Sequence, residues 1–89
     1  MVKQEVVVKN QTGLHLRPAG VLCKVAMRYK SKILFYLQGT EANVKSILSV
    51  LSACVKEGDT IEFCCEGEDE EEALQEMIRI VENGLGENT

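Results

Sequence analysis

His15, the only histidine in the chain, stands two residues before Arg17 and three before Pro18. A free imidazole has a pKa near ~6.5, so near neutral pH much of it is uncharged and able to attack phosphorus directly. Pro18 marks a place where a helix can begin, because its fixed φ and missing N–H are tolerated in a first turn. A helix N-terminus presents unpaired N–H groups and the positive end of the macrodipole, which favour an anion by about 0.3–1 kcal/mol. Arg17 can add charge-assisted hydrogen bonds of about 1.5–3 kcal/mol each. The chemistry these residues suit is transient capture of a phosphoryl group. The P–N bond so formed is reactive, and a partly exposed helix end can hold its oxygens without making onward transfer uphill. A lone histidine at a helix start is also a common cap or surface residue, and the residues alone leave that reading open. With no nucleophilic serine, His–carboxylate pair or Gly-rich phosphate loop nearby, hydrolase and nucleotide-binding readings find no support.

Ser46 is the second candidate for phosphate chemistry, and its plain structural role is an N-cap for the apolar run Ile47, Leu48, Val50 and Leu51. The four cysteines, Cys23, Cys54, Cys64 and Cys65, contain no C-x-x-C pair. They read as structural thiols, three of them in helix or strand patterns where a small apolar residue would serve. Strand alternation sends Cys64 and Cys65 to opposite faces, which argues against a shared metal.

These groups need elements to hold them. Val2, Gln4, Val6 and Val8 alternate with Lys3, Glu5, Val7 and Lys9, the pattern of a first strand, and residues 10–13 form a loop. Ala19, Leu22, Cys23 and Ala26 then recur at helical spacing as far as about Arg28. Ile33 to Leu37, a turn at Gln38-Gly39-Thr40, and Glu41 to Val44 predict a hairpin. A second helix begins after Ser46, reaches towards Val55 and ends by Glu57-Gly58-Asp59, and Thr60 to Glu66 alternates as a fourth strand. Asp69 with Glu72 three residues later predicts a capping box for a third helix carrying Leu74, Met77, Ile78 and Val81, stopped by Gly84 and Gly86. The order βαββαβα is an α+β arrangement: a four-stranded antiparallel sheet with three helices on one face.

Eighty-nine residues, 45% hydrophobic and 27% charged, suit one soluble domain with an aliphatic core. The N-terminus lacks the apolar run of a signal peptide and no segment approaches spanning length, so a cytoplasmic protein without membrane insertion is expected. The glycosylation sequon Asn10-Gln11-Thr12 is then a chance match. The net charge of −4 conceals segregation. Lys9, Arg17, Lys24, Arg28, Lys30 and Lys32 occupy a stretch without acids, whereas twelve acids and one base, Arg79, follow from Glu57 onward. Such a distribution can steer a basic face onto an acidic partner or an anionic group. Direct nucleic-acid binding is not expected of an acidic chain without a basic, aromatic-rich motif.

The segment Asn10-Gln11-Thr12-Gly13-Leu14-His15-Leu16-Arg17-Pro18-Ala19 resembles the active-site signature of HPr, the histidine phosphocarrier family of the sugar phosphotransferase system. Asn43-Val44-Lys45-Ser46-Ile47-Leu48 resembles the regulatory serine segment of the low-GC Gram-positive type. Glu57-Gly58-Asp59 through Gly67, and the closing Gly84-Leu85-Gly86-Glu87, carry the resemblance over essentially the whole chain, 1–89, as a single HPr domain. It implies an open-faced β-sandwich, in agreement with the periodicity. It also implies that His15 takes phosphate on Nδ1 from phosphorylated enzyme I, that Arg17 stabilises it, and that enzyme IIA domains of sugar permeases receive it. The protein would be a carrier with no turnover or cofactor of its own. At Ser46 the resemblance implies phosphorylation by an HPr kinase/phosphorylase, linked to catabolite repression with a transcription regulator as a further partner. A regulatory binding protein acting only through phospho-Ser46 is the competing class, though relatives of that kind lack the histidine.

In this family's fold Ile47, Leu48 and Leu51 lie near Leu16, Gly20 and Lys24, an apolar patch beside positive charge that suits a protein partner. Some apolar residues of the second helix must still face the sheet. Leu16 stands where the family usually has Ala, Gly20 where Thr or Ala is frequent, and Ser49 and Cys54 where Gly is common. Four cysteines also exceed the family habit.

Overall fold

A computed structural model describes residues 1–86. Strands β1 (Val2–Val7), β2 (Lys32–Leu37), β3 (Thr40–Asn43) and β4 (Thr60–Glu66) alternate with helices α1 (Leu16–Ala26), α2 (Ile47–Ser52) and α3 (Glu70–Glu82) in the order expected. The strands form one antiparallel sheet in the order β1-β4-β2-β3. Because β4 alternates strictly, Ile61, Phe63 and Cys65 all point inward and are fully buried. Register then stacks Val6 beside Ile61, and Phe35 beside Phe63, whose rings meet edge to face with centroids 6.1 Å apart.

The three helices cover that inner face, which makes the fold the open-faced β-sandwich. Helix α3 lies on β1 and β4, α2 adjoins β3, and α1 packs on α2 and α3. Leu22, Ala26, Met77 and Val81 supply the helical side of the core. The β2–β3 hairpin closes through Gln38 (φ +49°) and Gly39 (φ +85°), both left-handed, as a two-residue turn with this strand twist requires. Thr40 thus belongs to β3 and lies outside the turn predicted for it.

Three local expectations are corrected. Helix α1 ends at Ala26 rather than near Arg28. Helix α2 ends at Ser52, because Cys54 turns left-handed at φ +55°, and Val55 is a buried loop residue. Asp69 precedes α3 but makes no capping hydrogen bond to it. Its carboxylate instead accepts from the N–H groups of Lys30 and Ser31, both at 2.9 Å, and from the Ser31 hydroxyl. Glu70 in turn accepts from the Gly67 N–H at 3.1 Å. Glu87, the last residue of the closing segment, lies outside the described residues.

Candidate functional site

The connection from β1 to α1 is held from two sides. Asn10, 2% exposed, donates through Nδ2 to the Gly13 carbonyl at 2.6 Å, while the Gly13 N–H donates to the Asn10 carbonyl at 3.1 Å. The Leu14 N–H donates to the Val55 carbonyl at 3.0 Å, fastening the loop to the connection between α2 and β4. Gly13 is left-handed at φ +62°, and a methyl group there would overlap the Val55 carbonyl oxygen.

His15 follows as the N-cap of α1, in extended conformation with its ring exposed and making no cap bond of its own. Its carbonyl accepts from Ala19 N–H at 2.8 Å, starting the helical ladder. Leu16 and Arg17 carry the first-turn N–H groups that have no partner within the helix, and Pro18, third in the helix, has none to offer. The Arg17 side chain is exposed, and no ion pair among the described residues involves it or Lys24. An exposed imidazole, the first N–H groups of a helix and an exposed guanidinium thus belong to one helix end, an arrangement suited to an anion attached to His15. A cavity of about 640 Å³ opens beside the ring, lined among others by Gln11, Thr12, Leu51, Cys54 and Lys56.

A family model described as the PTS HPr component phosphorylation site matches residues 2–83. The chain belongs to the HPr family. Among its relatives, the phosphocarrier protein HPr of Mycoplasma pneumoniae is 41% identical over 83 residues, 92% of this chain and 94% of that protein. The HPr-like protein Crh of Halalkalibacterium halodurans is 39% identical over 82 residues, 92% of this chain and 98% of that one. The crystal structure of HPr-C-His from Thermoanaerobacter tengcongensis superposes with a TM-score of 0.96 at 34% identity over the whole of both chains. Membership carries the general role of an HPr-like phosphocarrier in phosphotransfer. Relatives span mycoplasmas, spirochaetes and proteobacteria as well as bacilli, so the match marks the family as a whole and no one branch of it.

The second HPr motif is also built as a helix start. Ser46 is half-buried and its Oγ accepts from the Ser49 N–H at 3.3 Å, so the cap read from the sequence is present. Ser49 adds a contact not foreseen: its own Oγ accepts from the Asn43 N–H at 2.8 Å, tying β3 to α2. Lys45 donates through Nζ to the Tyr29 carbonyl at 2.7 Å, which directs its charge towards the end of α1.

Of the expected docking residues, Leu16 and Leu48 are strongly exposed at 68% and 77%, and Ile47 is less so at 38%. Lys24 is exposed and Gly20 half-buried, with open space where a Cβ would sit. Leu51 is the exception: it is half-buried against the core, because Val50 and Leu51 supply the face of α2 that must be covered. Its exposed edge lines the cavity beside His15.

The thiols separate cleanly. Cys23, Cys64 and Cys65 are buried, and burial pushes the Cys65 thiol up to about 11. Cys65 faces the core and Cys64 the uncovered face, as alternation requires. Cys54 is exposed, outside any helix or strand, and shares the His15 cavity. Among the described residues no three His, Cys, Asp or Glu side chains are grouped to hold a metal ion, and no helix is long and apolar enough to cross a membrane.

The contributions of Asn10, Leu14 and Val55 escape sequence reading. Asparagine opening a loop is a local signal for a side-chain bond to nearby backbone, but the Val55 carbonyl leaves no trace in residue type.

Proposed function

We propose that His15 is the phosphoryl acceptor. In this reading the Nδ1 lone pair attacks phosphorus on phosphorylated enzyme I; the new P–N bond forms as the donor's bond to phosphorus breaks, and the same exchange in reverse order delivers the group to an enzyme IIA domain. The Leu16 and Arg17 N–H groups and the Arg17 guanidinium hold the phosphoryl oxygens. They compensate the charge that arrives with the group. The observation that carries the reading is the exposed His15 ring at the N-cap of α1 beside an exposed Arg17 that no ion pair among the described residues engages. Leu16, Gly20, Lys24, Ile47, Leu48 and the exposed edge of Leu51 form the docking face for both partners. The reading places the protein in the cytoplasm, where those partners operate.

Incubation with enzyme I and phosphoenolpyruvate should add one acid-labile phosphate, absent from His15→Ala. A phosphate that survives that substitution, or none on the unaltered chain, would overturn the assignment. Arg17→Ala should slow the transfer by about tenfold or more, the loss of one charge-assisted contact of about 1.5–3 kcal/mol.

Ser46 gives the reading a regulatory arm of the low-GC Gram-positive type. Its cap position lets a phosphate of about −2 charge sit at a helix start without breaking the fold, beside Ile47 and Leu48 on the docking face. HPr kinase/phosphorylase with ATP should then add an acid-stable phosphate that Ser46→Ala abolishes. The similarity to Crh of Bacillus subtilis, a catabolite repression HPr, favours a role for that phosphorylated form in catabolite repression, with a transcription regulator as the proposed partner, alongside phosphoryl carriage through His15.

A further inference from the structure

An exposed ring that makes no cap bond takes its position from the backbone beneath it, so whatever fixes residues 10–14 fixes His15. The Asn10 amide is buried there, its Nδ2 bonded to the Gly13 carbonyl at 2.6 Å and 3.5 Å from the Thr12 hydroxyl oxygen. The Val55 carbonyl holds the next residue, Leu14, from the opposite side. A hydrogen bond removed from water is electrostatically stronger than an exposed one, and its loss strands the Gly13 carbonyl. In-line transfer between two proteins is sensitive to such placement: a shift of about 1 Å can cost on the order of 100-fold in rate.

We propose that Asn10 is a positioning residue for phosphoryl transfer, setting the height of His15 above the Leu16 and Arg17 N–H groups without touching the phosphate. The inference rests on His15 being the acceptor. Asn10 is set apart from the docking face by its burial, so its effect belongs to the transfer step and leaves partner binding alone.

The test is quenched-flow phosphorylation by phosphorylated enzyme I, comparing the unaltered chain with Asn10→Ala and Asn10→Asp at temperatures where circular dichroism shows each folded. Asn10→Asp keeps the shape and removes the donor. Both variants should lose about tenfold or more in maximal transfer rate, with half-saturation by enzyme I changed by less than about twofold. Lowering the pH from about 7.5 to about 5.5 protonates the buried carboxyl introduced by Asn10→Asp and restores an O–H donor, so its rate relative to the unaltered chain should rise. The corresponding ratio for Asn10→Ala should stay flat. Maximal rates equal to that of the unaltered chain, or an Asn10→Asp deficit that no pH relieves, would overturn the proposal. If Asn10→Ala does not fold, the pH profile of Asn10→Asp decides alone. Failure of the unaltered chain to be phosphorylated would instead defeat the His15 assignment.

Discussion

Gly13 sits two residues before His15 with φ at +62°, and a Cβ there would overlap the Val55 carbonyl oxygen and lie 2.8 Å from the Lys56 Cα. Those atoms are all backbone of the one stretch Val55-Lys56, which cannot give way cheaply. Gly13→Ala should therefore cost about 2 kcal/mol or more, combining left-handed strain with overlap, read as a lower urea midpoint at unchanged slope. It should also slow phosphorylation by enzyme I. The thiols supply a second residue-level test, since only Cys54 is exposed and burial holds the Cys65 thiol far above neutral pH. Iodoacetamide at pH about 7.5 should label Cys54 rapidly in the native chain and all four cysteines after urea. Rapid native labelling of Cys23, Cys64 or Cys65 would contradict the packing described. At this scale the placement of His15, Arg17 and Ser46 at helix starts was legible, because Pro18 and the apolar runs that follow mark where those helices begin. The clamp on Leu14 was not, since a main-chain carbonyl can come from any residue.

Helix α2 shows how an element can be recognised and its end misplaced. Ser46 and the run from Ile47 to Leu51 announce a helix, and Glu57-Gly58-Asp59 looks like its natural stop. Cys54 ends it earlier by adopting φ +55°, a conformation that costs a residue with a side chain about 1–2 kcal/mol. Cys54→Gly should accordingly stabilise the protein by about 0.5–1 kcal/mol, the relief being partly offset by the entropy of glycine. Cys54→Ala should give no such gain, and equal urea midpoints for the two variants would remove strain as the explanation. The start of α3 was misread for a related reason. Asp69 followed by Glu72 fits a capping box, yet Ser31 and Lys30, remote in sequence, compete for the same carboxylate and win with three hydrogen bonds. Strand alternation and helical spacing identified every element, because the burial of one face imposes them locally; tertiary partners of a polar side chain impose nothing on the local pattern.

At the scale of the whole molecule, Asp69 is a tie between the α1–β2 connection and the beginning of α3. The hydrogen bond from the Ser31 hydroxyl, then those from the Lys30 and Ser31 N–H groups, hold its carboxyl down to about 2. A carboxyl depressed on folding stabilises the native state at pH values above its unfolded pKa of about 3.9, and that contribution is lost as the pH falls through the folded value. The melting temperature should therefore drop between pH about 4 and about 2. In Asp69→Asn it should start lower at neutral pH and change less across that window; parallel curves for the two proteins would show that other carboxylates govern acid unfolding. The charge segregation seen along the chain is softened in space by the Lys30–Glu68 pair at 3.0 Å. Lys24 and Arg17 stay outside the ion pairs found among the described residues, on the helix that begins at His15. The architecture thus devotes three helices to a core on one sheet face and leaves the start of α1 accessible, which suits the proposed exchange with two partners in turn. Phosphorus NMR of the chain phosphorylated by enzyme I and phosphoenolpyruvate, recorded before and after an enzyme IIA domain is added, tests that account most directly. It predicts one phosphohistidine signal on Nδ1, missing in His15→Ala and lost as the IIA domain becomes phosphorylated; a signal that persists in His15→Ala, or one that the IIA domain never discharges, would contradict it.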